Sequence, residues 1–595
     1  MKKRILACVL VLVFTLLAAC GGGGANNQAT TTAAATTTTA AAATTTAAAA
    51  TTAAAAATEA AASGGGFVNL NHPDAYSGEE GDALEPYKFT LYYNYDWWGV
   101  KPFGEDEISK FWKQLYNIEI DMQAPDSDPA AKLNLMMSSG DLPDVILMDR
   151  GADNIRAIQN GVFLDLAPMQ AKNPSFDIAV KQATQNLLQV DGKLYAVPHW
   201  ARNLPTGGND SWIVNKEVWD AVGNPDLKTF EDLYAFATKI KNEYPVNAAG
   251  KTVLPFSTIN DAWDKMSFAF YRSMGGCPYA DHQTTVVNGE LVSAWRDPRH
   301  KAAYLEVNKW YREGLIEETL FSDTSEMIVE KYTDNRGGVF YYDMSQDSVN
   351  KFRQLMMENN PGNEYIVLTD PVYPPANGID NKMIYADHKE TMGWNVHGIT
   401  IKAQNPQRIF DFLTYMLSWQ GSMEMMYGPK GDRWDSLQDT EYGPIPVLHT
   451  PEAELSSAEK QRIGTWEWSF CNHADPVDLI KYAVNASQPP ERRDWVITMQ
   501  ADVLTPIMYV TDEYAGYNVL IDPLSDLGIN KGLQWDRIKE DAPKILLATS
   551  EAEASRIYDE LVAYMDSLGL KEIESLYNTR HKELVATQGF SAFNR

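Results

Sequence analysis

Flat aromatic rings recur in this chain beside carboxylates, amides and guanidinium groups. Asp96-Trp97-Trp98, His199-Trp200-Ala201-Arg202, Asn260-Asp261-Ala262-Trp263, Tyr341-Tyr342-Asp343 and Trp394-Asn395 all follow this pattern, and Trp434, Trp466 and Trp468 fall in later loops. A ligand with apolar C–H faces and a rim of hydroxyls, such as a sugar, needs both halves of it. Rings stack on the faces, and planar polar groups make paired hydrogen bonds to the rim. The candidate ligand contacts are Asp96, Trp97, Trp98, Trp200, Arg202, Trp263, Tyr342, Asp343, Trp394 and Trp434. Ser139 and Asp141 join them from a Ser-Ser-Gly-Asp turn, where Gly140 can end a helix at positive φ. Trp112, Trp310 and Trp419 sit on helical stripes and read as core. His199 reads as packed at a hinge rather than chemically active.

Catalysis has weaker support. Asp96, Asp141 and Asp343 could in principle supply the two carboxylates of a glycoside hydrolase, which stand about 5–10 Å apart. Solvated carboxylates are the simpler reading in so acidic a chain. There is no G-x-S-x-G, H-E-x-x-H or G-x-G-x-x-G, and Gly250-Lys251-Thr252 lacks the upstream glycine of a phosphate loop. No CxxC is present, which excludes a zinc ribbon or dithiol redox motif. The reading is a non-enzyme with no cofactor and no metal.

The N-terminus addresses location. Lys2, Lys3 and Arg4 precede an apolar run from Ile5 to Leu16, then Leu17-Ala18-Ala19-Cys20. A basic start, a short apolar run and small residues before a cut site read as an export signal over 1–19. The run is shorter than the roughly 20 apolar residues of a membrane span. Residues 20–66 form a Gly/Ala/Thr tract whose only charge is Glu59. It has no apolar face to pack and reads as a flexible linker with a reach of about 40 Å. The folded part is then 67–595. At that length it exceeds one core and implies two or more lobes.

Over 595 residues there are 79 acidic and 50 basic side chains, a net charge of −29 that becomes −32 without the signal. That balance argues against nucleic acid as a partner, because phosphate recognition needs basic patches. It also repels an anionic membrane, so anchoring would fall to lipid. Of the four cysteines, Cys8 leaves with the signal. Cys277 and Cys471 remain in the folded part, where one disulfide and two buried thiols are both open.

Hydrophobic period places the elements. Strands are expected at 87–95, Ile118–Met122, Asp144–Met148, Trp212–Asn215 and Val339–Tyr342. Helices are expected around Ile108–Leu115, Lys132–Met137, 153–160, Phe230–Asn242, Trp263–Met274, 298–313 and Arg408–Tyr427. A last helix starts at Ser550, with Glu553 placed for a capping box and a stripe through Ile557, Leu561, Tyr564 and Leu568. Strands alternating with helices predict an α/β fold with mostly parallel sheet.

Several segments then carry a resemblance. They are Lys132-Leu-Asn-Leu-Met-Met-Ser-Ser-Gly-Asp-Leu-Pro-Asp144, Asn160-Gly-Val-Phe-Leu-Asp-Leu166, Asp191-Gly-Lys-Leu-Tyr-Ala-Val-Pro198, Asn405–Leu413 with Tyr427–Trp434, and the Thr549-Ser-Glu-Ala-Glu-Ala stretch. In this order, behind a sequence similar to the bacterial lipobox, the chain resembles the family 1 extracellular solute-binding proteins of bacterial carbohydrate importers, in particular their long lipoprotein subgroup. The resemblance implies a two-lobe periplasmic-binding-protein-like fold of type II topology, with a hinge and additional C-terminal helices. It implies lobe 1 over about 87–198 and 396–450, and lobe 2 over about 199–392 and 451–595. It implies a lipid on Cys20, attachment to the outer face of the cytoplasmic membrane, an oligosaccharide ligand, ABC permease subunits as partners, and a monomer. A non-sugar solute such as a peptide is the alternative cargo. Relatives often carry an Asp/Asn-rich calcium loop before the strand near Pro255. Asn242–Lys251 lacks those alternating oxygen ligands, so no calcium is expected there.

Overall fold

The computed structural model of the protein describes residues 85–588, apart from 205, 259–261, 277–283, 289, 345–347, 381–387, 511 and 513–520. The expected signal, linker and lipid-bearing Cys20 lie outside the described residues, as do Asn260, Asp261 and Cys277. No helix among the described residues is long and apolar enough to cross a membrane.

Strands β1 (Tyr87–Tyr93), β2 (Ile118–Gln123), β3 (Val145–Asp149), β4 (Ala196–His199) and the later β12 (Asn395–Ile399) make one sheet, in the order β2-β1-β3-β12-β4. The three early strands are parallel, with Tyr87 opposite Ile118 and Leu91 opposite Val145, while β12 runs antiparallel to both β3 and β4. The crossover from β1 to β2 contains the helix Glu107–Tyr116. Asp106 caps it by accepting from Ser109 N at 2.8 Å, and Asn117 ends it at φ 46°. Its buried residues Ile108, Trp112 and Tyr116 recur every four positions and point at the sheet.

A second sheet holds β5 (Asp210–Asn215), β6 (Leu254–Thr258), β9 (Gly337–Asp343) and β10 (Tyr365–Val367), in the order β10-β5-β9-β6. Its core takes in Trp212, Phe256, Phe270, Trp310 and Phe340, and the C-terminal helices Asp526–Leu546 and Glu551–Ser567 press Ile545 and Tyr558 against it. Ribbons β7–β8 (Thr284–Val287, Glu290–Ser293) and β13–β14 (Trp434–Asp439, Pro444–Leu448) lie outside both sheets. The fold is α/β, with two separate open sheets.

Among the described residues, three segments cross between the sheets. Arg202 N donates to Thr391 O at 2.9 Å, and Ala474 N donates to Ala201 O at 2.6 Å. Thr391 donates through N and Oγ1 to the Asp512 carboxylate at 2.8 and 2.7 Å. The short strands β11 (His388–Lys389) and β15 (Tyr509–Val510) pair in parallel beside them. Gly393 fits the crossing because a Cβ there would stand 1.9 Å from His199 O, and its φ is +68°.

Three local features differ from the periodic reading. The run Arg408–Tyr427 is two helices, Pro406–Met416 and Trp419–Tyr427, because Ser418 caps the second by accepting from Gly421 N at 2.9 Å. In the last capping motif Ser550 accepts from Glu553 N, but Glu553 reaches back to Thr549 N and Oγ1 rather than to Ser550. The buried stripe there runs through Ala554, Tyr558, Leu561 and Met565. Ile463, Trp466, Phe470 and Cys471 pack into the first sheet's core, beyond the boundary near 450 read from the sequence.

Candidate ligand-binding cleft

A cleft of about 1350 Å³ opens between the two sheets. The end of β3 supplies Asp149 and Arg150. The facing strands β5 and β9 supply Asp210 and Asp343, which are directly opposed in register. Asp149 and Asp343 stand at the carboxyl ends of their strands, where open α/β sheets place their ligands, and Asp210 opposes Asp343 from the start of the antiparallel β5. The crossing segments add Trp200, Arg202, Glu390 and Trp394, and later helices and loops add Tyr427, Trp468, Asp478, Lys481 and Trp535.

Aromatic rings form its walls. On the first-sheet side Trp97, Trp98 and Trp394 stack with centroids 5.3, 5.9 and 6.4 Å apart and interplanar angles of 16–26°, and Tyr95 lies 5.2 Å from Trp98. At the hinge His199 stacks on Trp200, whose ring lies 4.5 Å from that of Trp468. On the second-sheet side Trp263 faces Trp535 at 6.4 Å. Trp97, Trp394, Trp468 and Trp535 are 68%, 38%, 41% and 41% exposed, so large ring area is open to a ligand. Trp200 holds a left-handed φ of +61°, fixed by its N donating to Asn472 Oδ1 at 3.1 Å.

The polar groups are braced. Arg150 pairs with Glu390 at 2.6 Å and donates through Nε to Gly393 O at 2.7 Å. Tyr95 OH donates to Asp149 at 2.6 Å; burial nevertheless pushes that carboxyl up. Asp475, behind the wall, accepts from Asn203 N and Leu204 N at 2.7 and 3.2 Å. Its burial still raises it to about 6. Arg202 donates to Thr206 O and lies beside Asp478, partly offsetting the burial that raises the Asp478 carboxyl.

The structure brings Trp200, Arg202, Asp343 and Trp394 to the cleft. Trp97 and Trp98 stack onto the cleft residue Trp394, next to the exposed Asp96, and Trp263 lies 6.4 Å from the cleft residue Trp535; these four stand behind the lining rather than in it. Four further candidates lie away from the cleft. Ser139 and Asp141 are exposed and precede the N-terminal end of β3, whereas the cleft opens at its C-terminal end. Tyr342 is buried among Tyr332, Phe340 and Phe352, because β9 alternates and turns Asp343 the other way. Trp434 is buried in a satellite core, its indole donating to Gly428 O at 3.1 Å. Sequence reasoning missed Arg150, Tyr427, Asp478, Lys481 and Trp535 as site residues. Trp468 carried a signal, a loop position beside Glu467. Trp535 lies inside the helix Asp526–Leu546 and carried none.

In the stretch Asn242–Lys251, Asn247 bridges the turn. Its Oδ1 accepts from Ala249 N and Lys251 N at 3.1 and 3.0 Å, and its Nδ2 donates to Asp334 O and Asn335 O. Lys251 pairs with Asp334 at 2.5 Å.

Known proteins match this architecture. The fructooligosaccharide ABC transporter substrate-binding protein FusA of Streptococcus pneumoniae is 26% identical over 237 residues, 38% of this chain and 44% of FusA. The structure of FusA in complex with kestose superposes with a TM-score of 0.59 at 18% identity, over 84% of this chain and 99% of that one. Lipoprotein LipO of Bacillus subtilis is 23% identical over 467 residues, 76% of this chain and 85% of LipO. The alginate-binding protein AlgQ2, solved without calcium ion, superposes with a TM-score of 0.61 at 17% identity, over 84% of this chain and 98% of that one. The profile of the bacterial extracellular solute-binding protein family matches residues 106–432, more than half of the sequence, and the chain therefore belongs to that family.

Proposed function

We propose that this protein captures an oligosaccharide between its two lobes and delivers it to the permease of an ABC importer. The observation that carries the reading is the aromatic lining of the cleft. Indoles stand on the first-sheet side, at the hinge and on the second-sheet side, interleaved with braced carboxylates and cations. Ordinary small-molecule pockets hold roughly 300–1000 Å³, and the cleft exceeds that range, which favours several sugar units over one. The fructooligosaccharide binding named for FusA points the same way.

The protein acts as a binding protein rather than a hydrolase, and as a monomer. Its lobes, about 87–198 with 396–450 and about 199–392 with 451–595, close on the ligand, with Ile463–Cys471 packed on the first. Ligand binding favours the closed population, which docks on the permease pair. A lipid on Cys20 tethers it to the outer face of the membrane through the 20–66 linker. The N-terminal sequence and the likeness to a lipoprotein support that placement.

A thermal-shift screen of the purified protein against mono- and oligosaccharides, with short peptides in parallel, tests this. A ligand bound only by the folded state raises Tm in a concentration-dependent way. The expected result is a shift with an oligosaccharide that chromatography recovers intact. Shifts with peptides alone would overturn the cargo, and breakdown of a bound sugar would overturn the non-catalytic reading.

A further inference from the structure

We infer that the cleft selects neutral oligosaccharides and rejects those bearing carboxylate or sulfate groups; this rests on the sugar-binding reading above and narrows it. The ground is how the charges are arranged. Among the described residues, eight acidic and six basic side chains line the cleft, so its own balance is negative. The basic groups that reach the interior already stand against carboxylates. Arg150 is held by Glu390 at 2.6 Å, Lys481 by Glu467 at 3.1 Å and Lys265 by Asp210 at 3.8 Å. Arg202, 6% exposed, sits beside Asp478. Lys531 lies over the Tyr577 ring at 5.6 Å, and Lys460 is on the exposed helix Ser457–Ile463 at the rim.

An anionic sugar unit would have to take a guanidinium or ammonium from its carboxylate. That carboxylate would then face both the ligand and the surplus acids of the lining, a like-charge placement that disfavours binding. A neutral sugar pays no such cost. Its hydroxyls donate to carboxylate oxygens already fixed by their partners and accept from the N–H groups those partners leave over. Charge-assisted hydrogen bonds of this kind are the strong ones. The chain's net charge of −29 acts in the same direction at longer range, repelling an anion on approach.

The test is titration calorimetry of the whole protein with length-matched tetrasaccharides. The neutral set is cellotetraose, maltotetraose, xylotetraose, mannotetraose and the fructan nystose. The acidic set is tetragalacturonate and tetramannuronate. The inference expects binding within the neutral set, and acidic tetramers weaker by more than about tenfold or silent. Affinity for the neutral ligand should change little between 20 and about 500 mM salt, since it involves no net ion pairing. Asp343→Asn and Asp494→Asn, each removing one negative charge from the lining, should narrow the discrimination. An acidic tetramer that binds as tightly as the best neutral one overturns the inference and leaves the sugar reading standing. Silence from both sets with binding of peptides overturns both.

Discussion

Trp394 and Trp468 are the residues on which ligand affinity should depend most, because both line the cleft and leave about two-fifths of their surface open. A flat base stacked on an aromatic side chain is worth about 1–3 kcal/mol, and a sugar's C–H face offers a comparable contact. Trp394→Ala or Trp468→Ala should therefore weaken oligosaccharide binding by about 10- to 100-fold while moving Tm little. Trp434→Ala should do the reverse, leaving affinity in place and costing about 3–5 kcal/mol of stability for a buried indole. Calorimetry paired with thermal melts on the three variants reads both quantities. A second residue-scale prediction concerns pH. Glu424 is buried and accepts from Tyr415 OH, Trp112 Nε1 and Tyr116 OH at 2.9, 3.2 and 3.5 Å, yet burial outweighs these donors and raises it to about 7. Its folded state holds the proton more tightly than the unfolded state does. The wild type therefore loses stability as pH rises from about 4.5 to 7 and is flat above that. Glu424→Gln removes the ionisation and should gain on the wild type across that window, by about 3 kcal/mol in all. Parallel denaturation curves at pH 5 and pH 8 would show it, and an unchanged difference between the two pH values would refute it.

Elements were legible in the sequence wherever one face alone is buried. The spacing of Ile108 and Trp112, the apolar run over Val145–Met148 and the aromatic strand ending at Asp343 all occur as elements close to their expected bounds. What the pattern could not supply was direction. Tyr342 and Asp343 are neighbours on one strand, and only the packing of Phe340 and Phe352 decides which faces the cleft. Ser139 and Asp141 lie in a genuine turn, with Gly140 at φ 72°, but at the wrong end of β3 to meet the others. Ser418 looks like an interior helix position until its hydroxyl is seen capping a new helix. Ser418→Ala should cost about 1 kcal/mol, the usual worth of an N-cap. Gly393→Ala should be far more damaging, since the added Cβ meets backbone rather than a flexible side chain at the crossing. Melts of both variants test this order, and a Gly393→Ala protein as stable as the wild type would show that the crossing is looser than a 1.9 Å approach to His199 O implies.

At the scale of the whole molecule, two sheets with separate cores meet across crossing segments that hydrogen-bond through Thr391, Ala201 and Asp512. The aromatic walls belong to different sides of that junction. A ligand that stacks on Trp394 and on Trp535 together draws the two sides toward each other, as a hinged trap requires. Tryptophan emission should shift on binding, because the affected indoles lose solvent together. The central claim, capture of an oligosaccharide in this cleft, is tested most directly by calorimetric titration of the wild type and the Trp394→Ala/Trp468→Ala double variant with the best saccharide. The account predicts a saturable one-to-one isotherm for the wild type and its loss in a double variant that still folds. An isotherm unchanged in that variant would place the ligand elsewhere and contradict it.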